Sequence, residues 1–205
     1  MKVLMINGSP HERGCTHTAL AEVAKTLADE GVGHEMLWIG DEPVAGCIAC
    51  MKCRKSGRCV YDDAVNEILA MAEHIDALVV GSPVYYASAS GQVCSLMDRL
   101  FYAGSAKFAH KPAAAVVSCR RGGAASAFDR LNKYFTINSM PVVSSQYWNM
   151  VFGREPGEAR RDAEGLQTMR LLGRNMAWLL RCLEEGKKRA PAPEPGARVR
   201  TNFIR

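Results

Sequence analysis

Hydrophobic positions along this chain follow two periods, and the alternation between them predicts the elements. Val3–Ile6 is an apolar run whose composition suits a strand buried on both faces, and Ala77–Val80 is another by its brevity and branched side chains. Ala113–Val117 reads as a strand in the same way. His34–Ile39, ended by the turn Gly40–Pro43, adds one more, and the region opened by Pro141–Val143 and closed by Tyr147 adds a fifth. Between these runs the spacing lengthens to that of a helix. Leu20, Val23, Ala24 and Leu27 place one after Cys15, with Thr16 or Thr18 as its cap. Val65, Ile68, Leu69 and Ala72 place another over 64–74, capped by Asp62 or Asp63. Helices are also expected over 91–102, 124–137 and 158–184. The last carries Leu166, Met169, Leu172, Met176, Leu179 and Leu180 as a core stripe.

Five strands alternating with five helices specify an α/β fold, a doubly wound five-stranded parallel sheet with helices on both faces. Ligands of such folds sit beyond the C-terminal ends of the strands, near the switch point. Three loops leave those ends: 8–18, 82–90 and 118–123.

The first loop joins a strand to a helix N-terminus through Gly8, Ser9 and Pro10, which makes an anion site. Free N–H groups and the helix dipole point into it, and Ser9, Thr16 and Thr18 add hydroxyls. It is not a Walker loop, because Gly8 and Gly14 are one residue too far apart and Cys15 stands where the Lys would be. Nor is it G-x-G-x-x-G, since Ser9 and Pro10 follow Gly8. A phosphate monoester fits better than a triphosphate or a pyrophosphate. The second loop offers Pro83, Val84, Tyr85 and Tyr86 as apolar and aromatic faces for a planar ring. In the third, Cys119, Arg120 and Arg121 lead into Gly122 and Gly123, which permit close backbone approach beside cations able to offset anionic charge.

Composition changes this picture little. The 205 residues suit one domain, 1–186, followed by a Pro-rich tail, 187–205. That tail holds six Lys or Arg against one Glu and so accounts for the whole net charge of +5. With no basic folded face, nucleic acid is not an expected partner. No apolar run reaches membrane-spanning length and the N-terminus lacks a signal-peptide pattern, so a cytoplasmic protein is expected. Eight cysteines are then better read as metal or redox chemistry than as disulfides. Cys47, Cys50, Cys53 and Cys59, in the loop 46–60, form C-x2-C-x2-C-x5-C. The first three spacings match ferredoxin-type ligation, with zinc or free thiols as the alternatives.

The order GSP-x4-G-x-T, a cysteine-rich loop followed by Asp-Asp, then GSPVYY and a late R-G-G loop resembles the NADPH-dependent FMN reductase family of flavodoxin-like proteins. The compact cysteine pattern resembles its iron–sulfur flavoprotein branch. The resemblance implies FMN, with its phosphate at Ser9, Thr16 and Thr18 and with His11 and Cys15 where relatives often carry a basic residue and Asn. Pro83, Val84, Tyr85 and Tyr86 would meet the ring, and Gly122 and Gly123, with Cys119 and Arg120 beside them, would complete the site. A 4Fe-4S cluster on the four cysteines, NAD(P)H as the electron donor, an acceptor of unknown identity and a homodimer or homotetramer are implied too. No side chain need act as catalyst, because the flavin carries the chemistry. An electron carrier serving a ferredoxin-like partner and a redox- or zinc-responsive interaction protein remain as alternatives. The tail is expected to fold over a neighbour through Phe203 and Ile204.

Overall fold

The computed structural model describes residues 1–194, 196, 197, 199 and 201, so the tail contact expected of Phe203 and Ile204 lies outside the described residues. Five parallel strands form the sheet, in the order β2 (Gly33–Trp38), β1 (Lys2–Asn7), β3 (Ala77–Tyr85), β5 (Ala113–Cys119), β6 (Met150–Phe152). A short sixth strand, β4 (Ser88–Ala89), folds back antiparallel on β3. The chain leaves β1 toward β2 but leaves β3 toward β5 on the opposite side, so the switch point falls between β1 and β3.

Side chains alternate along each central strand and divide between two cores. Leu4, Ile6, Leu78, Val80 and Val117 pack under α3 (Ala64–Met71), α4 (Gly91–Phe108) and α5 (Ala124–Ile137). Val3, Met5, Val79 and Val116 pack under α1 (Cys15–Asp29) and α7 (Ala163–Arg189). The remaining helices, α2 (Cys53–Ser56) and α6 (Pro156–Ala159), are single turns. Among the described residues no helix is long and apolar enough to cross a membrane.

Four expectations need correction. The fifth strand is not at 141–143. Val142 makes one isolated bridge to Ala113, the chain leaves the sheet, and β6 begins only at Met150. Buried Asn149 bridges the interruption, its Nδ2 donating to Ala115 O at 3.0 Å and its carbonyl accepting from Val117 N at 3.0 Å. Neither Thr16 nor Thr18 caps α1. Gly14 is the N-cap, Thr16 Oγ1 pairs with Ser118 Oγ at 2.8 Å, and Thr18 Oγ1 donates back to Gly14 O at 3.2 Å. Helix α4 passes Tyr102 and ends at Phe108, bending at Gly104, where a Cβ would stand 2.2 Å from Leu69 Cδ2. Finally, α7 passes 184 to end at Arg189, which sets Lys187, Lys188 and Arg189 in its last turn, against the negative end of its dipole. Asp63, by contrast, caps α3 as one of the two expected residues, accepting from Val65 N at 3.1 Å.

Candidate functional site

A cleft of about 700 Å³ opens at the C-terminal ends of β1, β3 and β5, beside the switch point. It collects Ser9, Cys15 and Thr16 from the first loop, Pro83, Val84 and Tyr85 from the second, and Cys119 and Arg120 from the third. These are eight of the twelve residues proposed from sequence for a cofactor. Thr18 is buried in α1 and turned toward Gly14. Tyr86 stands fully exposed at the hairpin tip, and Gly122 and Gly123 line a neighbouring pocket walled by Tyr147, Trp148 and Phe152.

The first loop is held from both sides. Asn7 donates from Nδ2 to Glu12 O at 2.8 Å, and Trp38 at the end of β2 donates from Nε1 to Ser9 O at 2.7 Å. Gly8 N–H donates to Gly81 O at 2.9 Å, tying the loop to β3, and Ser90 Oγ, which caps α4, donates to Gly8 O at 3.1 Å. With Gly14 as cap, no side-chain bond caps the first turn of α1, and Gly14, Cys15 and Thr16 line the cleft at the positive end of the helix dipole. Ser9 Oγ accepts from His11 N at 3.1 Å, leaving its hydroxyl hydrogen for a ligand.

Two thiols at the cleft are kept neutral. Burial pushes both Cys15 and Cys119 up from the ordinary thiol range. Cys15 Sγ is committed to Gly153 O at 3.5 Å, and neither group has the lowered pKa of a nucleophile. Trp38 is a residue the sequence reading missed. Its position at the end of a strand beside β1 was the available signal. Gly153, Arg154, Glu155 and Pro156, which close the cleft from the segment after β6, were missed because the fifth strand was placed too early.

The four motif cysteines ring a second, small pocket with Ile48, Val60, Tyr61, Arg99 and Tyr102. Cys47 and Cys50 are exposed, Cys53 and Cys59 half-buried. Cys53 Sγ donates to Tyr102 O at 3.6 Å, and Cys59 is held at its backbone by Asn66, whose Oδ1 accepts from Cys59 N at 2.8 Å. Among the described residues no three such ligands converge at the distances of one metal ion. Four thiols around one pocket are a donor set of the chemistry that suits an iron–sulfur cluster or zinc alike.

A doubly wound parallel sheet with a cleft at its switch point defines a flavodoxin-like protein. Residues 1–155 match the family described as NADPH-dependent FMN reductase, and the chain belongs to that family of FMN-dependent oxidoreductases. An iron–sulfur flavoprotein of Methanocaldococcus jannaschii is 33% identical over 193 residues, covering 90% of this chain and 100% of that protein. One from Methanosarcina thermophila is 27% identical, covering 91% and 99%. Among solved structures, a flavodoxin from the domain Archaea superposes with a TM-score of 0.61 at 16% identity, covering 88% of this chain and 99% of that one.

Proposed function

We propose that the chain binds one FMN non-covalently in the switch-point cleft, takes electrons from NAD(P)H and passes them to a small-molecule or protein acceptor. The observation that carries this reading is the convergence of three separate loops on one cleft, lined by the start of α1 with Ser9 and by Tyr85 and Trp38. Bound there, FMN would supply hydride acceptance and electron transfer. Ser9 and the first turn of α1 would bind its phosphate, Pro83, Val84 and Tyr85 would flank the ring, and Arg120 would offset charge at its edge. Thr16 serves this indirectly, since its bond to Ser118 fixes the start of α1 against β5. Assembly as a homodimer or homotetramer belongs to the same proposal; sedimentation as a monomer at working concentration would refute it.

A second reading, an electron carrier with a 4Fe-4S cluster on Cys47, Cys50, Cys53 and Cys59, is favoured by the four thiols facing one pocket and by the names of the relatives. Anaerobic purification with FMN, iron, sulfide and zinc measured on one sample tests both. One FMN per chain with about four iron and four sulfide supports flavin and cluster together. FMN without iron after reconstitution leaves a plain reductase, and stoichiometric zinc without flavin refutes both readings. Rapid bleaching of the flavin by NADPH or NADH, with no partner protein present, is expected of the reductase; an unchanged spectrum favours the carrier.

A further inference from the structure

Arg99 is the largest fully buried side chain of the molecule among the described residues, 1% exposed at its side chain, and it sits beside the cysteine pocket. Each of its three nitrogens is engaged. Nη1 and Nη2 form a fork on Asp63 at 2.7 and 2.8 Å; Nη1 also donates to Ala45 O and Nη2 to Tyr61 O, both at 3.2 Å. The remaining donor, Nε, points at Cys59 Sγ at 3.2 Å, and the Tyr61 ring lies 5.0 Å from the guanidinium. Burial opposes the Arg99 charge, but Asp63 and Cys59 outweigh it.

One planar group therefore grips both ends of the cysteine loop: Ala45, two residues before Cys47, and Cys59 itself. The loop needs a grip, because Ala49 and Met51 hold left-handed backbone with φ of 52° and 58°, which non-glycine residues keep only where their surroundings impose it. An ion pair with Asp63 alone would require neither the contact with Ala45 nor an Nε aimed at sulfur.

We propose that Arg99 is a positioning residue for the cysteine pocket. It closes the loop before iron arrives, and its Nε–H donates to the Cys59 sulfur, raising the reduction potential of a cluster ligated there. The second half rests on the cluster reading above. Hydrogen bonds to ligand sulfur stabilise the more negative, reduced cluster, so losing one lowers the potential.

The test is R99K, which keeps the charge opposite Asp63 but loses the fork. In iron-free protein, amide exchange over 46–59 should quicken at least about 10-fold, with FMN content and the exchange of β1, β3 and β5 unchanged. After anaerobic reconstitution, R99K should lose iron to a chelator about 10- to 100-fold faster than the parent. Its cluster midpoint potential should be lower. Wild-type loop protection in R99K overturns the closure, and a wild-type potential overturns the sulfur bond. A parent protein that takes up no iron or sulfide overturns the cluster half alone, while the exchange measurement still decides the closure. Should R99K not fold, the Arg99 Nε–H resonance of the parent decides: slow exchange in iron-free protein and a shift on reconstitution support the proposal, and fast exchange with no shift overturns it.

Discussion

Single residues set the limits of the site, and Gly8 is the tightest. A Cβ there would lie 1.9 Å from Val93 Cγ2 and 2.8 Å from Gly81 O, and the second contact is backbone that cannot swing away. Gly8→Ala should destabilise the protein by about 1–3 kcal/mol and lower FMN retention, read as the denaturation midpoint and the flavin-to-protein absorbance ratio. Asp63 holds a different kind of constraint. It caps α3 and balances buried Arg99, so Asp63→Ala leaves a buried cation alone and should cost about 3 kcal/mol, checked by urea unfolding. Tyr134 gives a pH signature. Its hydroxyl donates to Asp98 Oδ1 at 2.5 Å, and burial together with that carboxylate pushes the phenol well above its ordinary range. Above a pH of about 10 the unfolded chain releases this proton and the folded chain keeps it, so stability is whole below that pH and falls as pH rises. In Tyr134→Phe the alkaline decline should be shallower; identical slopes would show that the pair does not govern it.

At the scale of elements, the second loop departs most from its sequence reading. GSPVYYAS is not an open loop, because β3 runs on to Tyr85 and turns through Tyr86 and Ala87 into β4. Both turn residues have positive φ, 49° and 59°, as a two-residue type I′ hairpin requires. Neither is the Asn or Gly that suits such a turn. Ala87→Gly should therefore stabilise the fold by about 0.5–1 kcal/mol, seen as a raised melting temperature. The tip packs on Gly123, where φ is +83° and a Cβ would stand 2.8 Å from Ala87 Cα. The close approach is made by Gly123 alone, and to this hairpin; a Cβ on Gly122 would meet nothing within 4 Å. Helix α4 links the two centres of chemistry: Ser90 at its start binds the first loop, while Arg99 and Tyr102, about 14–18 Å further along its axis, face the cysteines.

For the molecule as a whole, the alternation of strands and helices, and with it the doubly wound parallel sheet with helices on both faces, was legible in the sequence. Runs such as Val3–Ile6 and Ala77–Val80 carry their own evidence of two-sided burial, and the stripes of α1 and α3 carry theirs, because periodicity is a local property that burial imposes on each element. Candidate loops follow from that alternation alone, since a parallel sheet brings its C-terminal strand ends to one edge. Tertiary contact decided the rest. Asn149 carries the chain back into the sheet through bonds to β5, 34 residues away, and no pattern around Pro141 announces that. The hydroxyl of Thr16 finds Ser118 across 102 residues instead of capping its own helix. Arg99 reads in sequence as one polar residue among Leu96, Met97 and Leu100 on α4. Only packing reveals that it is buried against Cys59 and Asp63. Local spacing determines which segments become strands and helices; which polar groups meet depends on the long-range closure of the fold, where buried donors must find acceptors wherever the chain has placed them.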